Sequence, residues 1–401
     1  MNNDVFMDST NTTLPTDDSG ESDEQTPGVE PEILESDDAV SPTLATEPFD
    51  TSKIQISHRT MALSNLIARL RNDEIKLDTE FQRLSNLWNR KQQSRLIESL
   101  LLRFPIPAFF FDGTNDEQWL IVDGLQRLNA LRNFVVTEEF KGRPFELQGL
   151  EFLSDHEEKR FTDLPRNLQR RIEESQVTVY VIEPGTPDEV KFNLFKRINT
   201  GGLVLTSQEI RHALNQPQPA GFIQELAQLP EFIQATEGKI RPERMDDRDF
   251  VTRFLAFVLQ EPTDYRSDMD SFLNNAMNIL RQKSAGEQAK EFERLRSLFQ
   301  RTMQVAMEIF GNDAFRKRKN PSDSRKPINK ALFEVWSASL ARLDSQQQKT
   351  LIERKDRLMA AFIEVMNDPK FIQSVTSGTG EITNVTVRYH TIDRIIQEEL
   401  K

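Results

Sequence analysis

Residues 121–128 have the sequence Ile-Val-Asp-Gly-Leu-Gln-Arg-Leu, in which an apolar segment ends at Asp123, turns at Gly124 and continues as a helix. The free backbone N–H groups at the start of a helix, together with the helix dipole, favour a bound anion. Gly124 allows the backbone to approach such an anion closely, and Arg127 can bind phosphate oxygens through two hydrogen bonds. The stretch therefore predicts a strand-turn-helix unit with a phosphate site at its turn.

Asp123 adds a second requirement to this turn. Its carboxylate would be repelled by a bare phosphate, which indicates a bridging Mg²⁺ ion or a water molecule to be positioned. On this hypothesis Arg127 faces an open pocket and does little packing. An alternative interpretation is an ordinary helix with an aspartate at its N-cap and an arginine on its surface. Spacing alone leaves both interpretations open.

Short apolar segments on either side of this stretch predict a small mixed sheet, formed by residues 54–56, 105–111, 118–122 and 177–182. Apolar residues at helical spacing predict helices at residues 61–70, 89–102, 125–136 and 187–198. From residue 207 onward the helical spacing predominates, in residues 251–259, 269–281, 292–310, 330–343 and 349–366. Strands mixed with helices and then a run of helices predict an α+β fold, with a mixed domain at 51–215 and a helical domain at 216–401 that has no extensive sheet beyond residue 220.

The negative charge of the chain is concentrated at its N-terminus. Residues 1–50 contain 14 of the 64 acidic side chains and no Lys or Arg, so the other 50 acidic residues face all 51 basic ones. A segment so acidic and so poor in large apolar residues cannot bury enough surface to offset its ordering entropy. Residues 1–50 are therefore predicted to be a disordered acidic tail that is dispensable for folding. Its role is either to solubilise the protein or to shield a basic groove.

The composition also excludes several kinds of site. Without Cys the chain has no thiol nucleophile, disulfide or Cys-based zinc site. Its four His residues are not at metal-ligand spacing. No secretory signal is visible, and the longest apolar stretch, residues 100–111, is short and interrupted by Arg103, Pro105 and Pro107. We expect a cytoplasmic protein without membrane contact.

Two further motifs carry polar residues with more than one interpretation. Residues 195–202 read Phe-Lys-Arg-Ile-Asn-Thr-Gly-Gly, and a turn of this composition can present N–H groups to an anion or simply end a helix with glycine in the left-handed conformation. Residues 81–83 read Phe-Gln-Arg and precede Trp88. This Gln-Arg pair either lines a polar pocket or lies on the surface of an edge strand.

Taken in order, the motifs resemble those of the ParB/sulfiredoxin-like family that forms the N-terminal domain of GmrSD-type restriction enzymes. The resemblance runs from about residue 60 to 260 and rests on residues 81–88, 96–99, 104–107, 122–128, 195–202, 207–211 and 253–257. The signature of the family is Asp-Gly-Gln-Gln-Arg, followed later by Phe-x-x-x-Asn. The resemblance implies a ParB-like fold, in which a strand-turn-helix with a terminal arginine binds nucleotide phosphates.

The resemblance also implies roles for single residues. Those implied in catalysis are Asp123, Gln126 and Arg127, and Asp123 is also the implied ligand of Mg²⁺. Those implied in nucleotide binding are Gln82, Arg83, Gly124, Arg197 and Asn199. Of these, Gln82, Arg83 and Asn199 are expected to face one cleft with Asp123 and Arg127. Two departures stand out. Leu125 replaces a glutamine that is frequent in the family, and beyond residue 212 the only histidine is His390, so an HNH nuclease domain is not expected.

These observations give three hypotheses of function. The first is a nucleotide-binding protein that hydrolyses a nucleoside triphosphate with Mg²⁺, acting in DNA restriction or phage defence with a separate nuclease or effector. The second is a non-catalytic sensor of nucleotide or DNA, which the apolar Leu125 favours. The third is a ParB-like DNA nickase, which the near-neutral charge of residues 51–401 disfavours. The basic residues within 316–326 either contact nucleic acid or form a solvated loop, and the loop is the favoured interpretation.

Overall fold

A five-stranded mixed sheet lies in the first half of the computed structural model, which describes residues 28–34, 51–77, 88–198, 205–266 and 268–401. The strands in chain order are β1 (Ile56–Ala62), β2 (Ile75–Lys76), β3 (Phe109–Asp112), β4 (Trp119–Asp123), β5 (Glu139–Phe140), β6 (Arg143–Pro144) and β7 (Gln176–Ile182). The order in the sheet is β1-β7-β3-β4-β2, and β5 pairs with β6 in a separate ribbon. β1 and β7 are antiparallel, as are β3 and β4, whereas β3 is parallel to β7 and β2 is parallel to β4.

Alternation along the central strands explains why both faces of the sheet are covered. On β4, Trp119 and Ile121 belong to the core on one face, and Leu120 and Val122 pack on the other. Because successive side chains of a strand point to opposite faces, apolar residues at every position indicate a strand buried on both sides. The continuous apolar run of residues 119–122 therefore follows from the central place of β4.

Helices cover the two faces of this sheet. In the first half they are α1 (Leu63–Arg71), α2 (Arg90–Leu101), α3 (Leu125–Leu131), α4 (Arg166–Glu173), α5 (Asp188–Ile198) and α6 (Ser207–Leu214). Asn89 and Gln92 form a capping box at the start of α2, and Thr206 and Glu209 form another at α6. Such reciprocal side-chain contacts satisfy N–H groups that the first turn of a helix leaves free. They fix where α2 and α6 begin.

The described part of the second half is helical. Its helices are α7 (Ala220–Ala227), α8 (Pro230–Ala235), α9 (Asp246–Leu259), α10 (Met269–Arg281), α11 (Ala285–Phe310), α12 (Lys330–Ala341), α13 (Ser345–Glu353), α14 (Lys355–Val365), α15 (Pro369–Ser374) and α16 (Ile382–Leu400). Their buried residues form one core cluster within residues 222–396, whereas the main core of the sheet lies within residues 63–181. The predicted domain limit at 215/216 falls between these two clusters.

The α+β fold, the small mixed sheet and the run of helices are confirmed, and the ParB-like character of the sheet stays a prediction. Several details of the sequence analysis were wrong. The first strand lies at residues 56–62 instead of 54–56, the strand expected at 105–111 lies at 109–112, and the helix at 349–366 is two helices that meet at Arg354. The elements that were not predicted are β2, β5, β6, α4, α7, α8, α15 and α16. Beyond residue 220, the only β-structure in the described residues consists of isolated β-bridges, which involve Arg316 and Ile328.

The prediction of a disordered acidic tail is wrong for one segment. Residues 28–34 lie against the helical half, where Glu32 forms a 2.6 Å ion pair with Arg253. The prediction of disorder for residues 1–50 therefore does not hold at 28–34, because these residues find specific partners that an average over composition does not show. The other residues of the predicted tail lie outside the described part of the chain.

None of the helices in the described residues is both long enough and apolar enough to cross a lipid bilayer.

Candidate functional site

The Asp123-Gly124 turn lies where β4 ends and α3 begins. Gly124 has a φ of +104°, in the left-handed region. A Cβ atom at this position would lie 2.5 Å from Cδ1 of Phe109 on β3, closer than real contacts allow, so a side chain here is excluded both by conformation and by space. The turn therefore requires glycine, and it places the free N–H groups of the first turn of α3 beside the end of β4.

Arg127 is turned into the protein. Its Nη2 donates to Oδ2 of Asp123 at 2.7 Å, and its Nη1 donates to the carbonyl of Ala108 at 3.1 Å and to that of Pro107. The guanidinium group also lies 4.7 Å from the ring centre of Phe109. Arg127 is 8% exposed. It therefore joins the start of α3 to the segment that enters β3.

This position corrects the expectation that Arg127 faces an open pocket. The physical reason lies in the entry to β3, where the carbonyls of Pro107 and Ala108 need hydrogen-bond donors once they are buried. Burial lowers the pKa of Arg127, while the carboxylate of Asp123 acts in the opposite direction. An arginine remains charged under such conditions. In this geometry Arg127 holds the carboxylate of Asp123 in place.

Gln126 connects the turn to the neighbouring segment. Its Oε1 accepts a hydrogen bond from the backbone N–H of Trp88 at 3.3 Å. Behind this contact, buried Gln93 donates to the carbonyl of Trp88 at 3.2 Å and accepts from Asn133 at 3.1 Å. Gln93 and Asn133 were not predicted from the sequence. The signal that could have identified Gln93 is its position, because a glutamine on the apolar face of α2 needs a hydrogen-bond partner.

Three of the predicted nucleotide-binding residues, Gln82, Arg83 and Asn199, lie outside the described residues. The described residues on both sides of residues 78–87 are attached near the turn. On one side Lys76 pairs with Leu120 of β4, and on the other side Trp88 contacts Gln126, as above. The convergence of Gln82 and Arg83 with Asp123 stays a prediction.

The described residues that flank 199–204 also pack near β4. Before this segment, Phe195 of α5 shares a core cluster with Val122 of β4. After it, Leu205 packs against the same cluster, as Leu120 of β4 also does. The convergence of Asn199 with Asp123 stays a prediction, and the packing on both sides of residue 199 supports it.

Arg197 is exposed near the end of α5. Its neighbour Lys196 forms an ion pair with Asp270 of α10 at 2.8 Å. Phe195 is buried at 1% exposure. The structure thus places Arg197 on the solvent side of a helix whose other face packs on the sheet.

Leu125, the departure from the family signature, packs against the core cluster that contains Phe109 and Phe111. It is half-buried. Its side chain therefore contributes to the contact between α3 and the sheet, which accounts for an apolar residue at this place.

A metal site made only of side chains is not present in the described residues, where no group of three or more His, Asp and Glu residues lies suitably placed. Asp123 can still contribute a single ligand, because Arg127 occupies Oδ2 and the side chain is 24% exposed. Mg²⁺ in nucleotide sites is commonly held by one or two carboxylates together with substrate phosphates. The residues present fit that mode of binding.

Glu98, in one of the segments that carry the family resemblance, has a structural role. Its carboxylate accepts hydrogen bonds from the backbone N–H groups of Glu151, Phe152 and Leu153, at 2.7–3.0 Å. Burial alone would raise the pKa of Glu98, but these N–H groups lower it below its usual value. Glu98 therefore fixes the loop that follows residue 150.

The residues Ser207 to Arg211 are also structural. Arg211 is 1% exposed, and it donates to Asp270 at 2.9 Å, to Asn274 at 3.0 Å and to Gln208 at 2.6 Å. Burial lowers the pKa of Arg211, whereas Asp270 and Asp249 act in the opposite direction. This cluster attaches α6 to α9 and α10. These contacts give residues 207–211, which also contribute to the family resemblance, a structural explanation that needs no role in substrate binding.

The fold and the site together define an α+β half with a glycine-dependent strand-turn-helix, followed by a helical half. Residues 63–215 match the family model described as the GmrSD restriction endonuclease, N-terminal domain. The match supports the resemblance from α1 to α6, which is less than half of the chain. Comparisons with curated proteins and with solved structures found no match.

Proposed function

We propose that residues 51–215 bind a nucleoside triphosphate at the Asp123-Gly124 turn and hydrolyse it, in a DNA restriction or phage-defence system in which a separate nuclease or other effector cleaves DNA. The description of the matched family, which names a restriction endonuclease, supports the restriction role. The nucleotide role rests on the geometry of the turn. The proposal also includes a cytoplasmic localisation of the protein.

The single observation that carries the proposal is the glycine turn itself. Gly124 packs against Phe109 with a positive φ, which leaves the first N–H groups of α3 free at the end of a central strand. Backbone N–H groups at a helix start are a common way to bind phosphate. The described residues that flank 78–87 and 199–204, the segments that contain Gln82, Arg83 and Asn199, lie near the same strand.

The proposed division of roles follows from the contacts of Asp123. Arg127 fixes one carboxylate oxygen at 2.7 Å, so the other oxygen is the one that can hold Mg²⁺ or orient a water molecule. A Mg²⁺ ion on the triphosphate would neutralise charge on the phosphates. Arg127 is in this scheme a positioning residue for Asp123, and Gln126 keeps the segment before α2 next to the turn.

A non-catalytic sensor is the second candidate, and the burial of Arg127 favours it. Its guanidinium group is committed to Asp123 and to two carbonyls, so it has fewer N–H groups left for a phosphate that gains charge during hydrolysis. Binding without hydrolysis needs only the N–H groups of α3. Leu125, which packs on the core, is compatible with either candidate.

Direct DNA cleavage by this chain has the least support. The basic loop at 316–326 was its one local candidate for DNA contact, and most of its cations have acidic partners. Arg316 and Arg325 both pair with Glu237, at 2.8 and 2.9 Å, and Lys317 pairs with Glu30 at 2.7 Å. Charges that are neutralised within the protein contribute little to binding a phosphate backbone.

Phosphate release from each nucleoside triphosphate tests the proposal, with and without Mg²⁺ and with and without DNA. We expect release that depends on Mg²⁺ and is lost in Asp123→Asn. The matched control is Asp116→Asn, which changes an exposed aspartate on the β3–β4 turn and should keep full activity. Nucleotide binding without phosphate release under all conditions supports the sensor, and no binding of any nucleotide refutes both.

A further inference from the structure

Residues 28–34, Gly-Val-Glu-Pro-Glu-Ile-Leu, are held on the helical half by backbone hydrogen bonds at both ends. Glu30 donates to the carbonyl of Ile328 at 2.8 Å, and Ile328 donates to that of Gly28 at 2.9 Å. At the other end, Thr379 and Gly380 donate to the carbonyls of Ile33 and Leu34, each at 3.0 Å. Backbone pairing of an extended segment with the edge of another element is a general mode of peptide recognition.

The close approach at Gly380 depends on the absence of a side chain. A Cβ atom there would lie 3.1 Å from the carbonyl oxygen of Leu34, which is tighter than most such contacts. Gly380 therefore has a specific reason to be glycine. The surface is shaped for a peptide backbone.

Glu32 is the central side chain of this contact. Its two carboxylate oxygens accept from the two Nη atoms of Arg253 at 3.0 and 2.6 Å, and Oε1 also accepts from the hydroxyl of Thr379 at 2.8 Å. The side chain of Glu32 is 10% exposed and that of Arg253 is 3% exposed. A two-point arginine–carboxylate pair of this kind is strong and selects carboxylate geometry.

The charges below this contact explain why an acidic side chain is required. Arg253 also contacts Glu334 at 3.1 Å, and Glu334 is shared with Arg388 at 2.6 Å. Lys330 pairs with Asp249 at 2.8 Å. The two buried arginines and the partly buried Lys330 thus share Glu334 and Asp249 here, and Glu32 supplies a third carboxylate. Buried charges that lack a partner are strongly unfavourable.

Glu30 and Pro31 add to the selectivity. Glu30 accepts from Lys317 at 2.7 Å and from Asn329 at 3.1 Å. Pro31 lies exposed between the two glutamates and restricts the backbone before binding, which lowers the entropy lost on docking. Ile33 and Leu34 remain 45% and 42% exposed. Recognition therefore depends on the backbone and the two carboxylates more than on apolar burial.

We propose that the helical half contains a peptide-binding site for an acidic Glu-Pro-Glu sequence, and that residues 28–34 are its intramolecular ligand. The site lies between the loop before α12 and the turn before α16, with Arg253 at its base. It recognises the sequence whether or not the peptide is covalently joined to the body. The proposal is independent of nucleotide binding.

Cleavage of the folded full-length chain tests this proposal. A protease recognition sequence is introduced between residues 35 and 50, the protein is cleaved after purification, and the products are separated by gel filtration at micromolar concentration. We expect the N-terminal fragment to co-elute with the body. In Glu32→Ala the fragment should bind about tenfold to hundredfold more weakly, because two charge-assisted contacts are lost, and it should elute separately.

The control variant is Glu353→Ala, which removes a glutamate whose side chain is 63% exposed and should leave co-elution unchanged. A synthetic peptide of residues 27–35 should displace the fragment from the unmodified cleaved chain, whereas a peptide with Glu30→Gln and Glu32→Gln should not. This second measurement needs no variant of the body, so it stands even if Glu32→Ala disturbs folding. Immediate release of the unmodified fragment, or equal displacement by both peptides, overturns the proposal.

Discussion

Replacing Arg127 with alanine should destabilise the α+β domain substantially. The change removes the ion pair to Asp123 and leaves the carbonyls of Pro107 and Ala108 without their donor. Breaking a buried ion pair by removing one partner costs about 3–5 kcal/mol. Since the Asp123 side chain is 24% exposed, water screens part of the loss, and we expect a value near the lower limit, about 3 kcal/mol.

Urea unfolding followed by tryptophan fluorescence measures this effect, because Trp88 and Trp119 both lie in the α+β half. For a unit of 150–250 residues, a loss of about 3 kcal/mol corresponds to a melting temperature about 6–12 °C lower. The matched control is Arg71→Ala at an exposed position, which should change the free energy of unfolding by less than about 0.5 kcal/mol.

The double variant Arg127→Ala, Asp123→Ala separates the ion pair from general packing. It removes the carboxylate that Arg127→Ala leaves unpaired, so it should be more stable than Arg127→Ala alone. If Arg127→Ala loses no more stability than Arg71→Ala, then Arg127 does not hold the turn as the contacts indicate.

Four further outcomes are expected. Asp123→Asn should keep nucleotide affinity within about threefold and abolish phosphate release, because the loss falls on the transition state; calorimetry that shows lost binding contradicts this role. Leu125→Gln should cost about 1–2 kcal/mol by placing an amide against the core and add no hydrolysis; increased phosphate release would place this residue at the nucleotide. The pKa of Glu98 in the folded protein lies below its ordinary value of 4.5, so the stability that its carboxylate contributes is fully present above pH 4.5 and is lost as the pH falls through the folded-state pKa. The difference in urea midpoint between the wild type and Glu98→Gln should therefore shrink between about pH 5 and pH 3. A difference that stays constant over this range is the contrary result. Arg211→Leu should lower stability by about 3 kcal/mol, since it removes a buried partner from the partly buried carboxylates of Asp270 and Asp249. Thermal unfolding unchanged from wild type is inconsistent with the contacts of α6.

Much of the fold could be predicted from the sequence, because its longer elements have clear periods. The helix at 269–281 and the strand at 177–182 are examples, since each carries several apolar residues on one face. β2 could not be predicted, because two residues are too short to show a period. The break at Arg354 has no glycine or proline to mark it, so packing against the other helices decides where α13 ends.

The site was predictable only in part. Gly124 could be identified, since a glycine between a strand and a helix indicates a special backbone conformation. The direction of Arg127 could not, because it depends on carbonyls at residues 107 and 108 that the sequence does not place beside α3. The docking of residues 28–34 could not be predicted either, because the composition of a 50-residue segment does not indicate which partners a single glutamate will contact. Single long-range partners decide such details, and a local pattern does not contain them.

The contacts of α6 bear on how this protein can be divided, in the laboratory and in evolution. Residues 63–215 form the matched region, yet Arg211 within it is neutralised by Asp270 and Asp249, both beyond its end. A fragment that stops at residue 215 would leave this arginine without its carboxylates. An expression boundary should therefore include α9 and α10, and a recombination event that exchanged the helical half would have to supply matching acids at the same time.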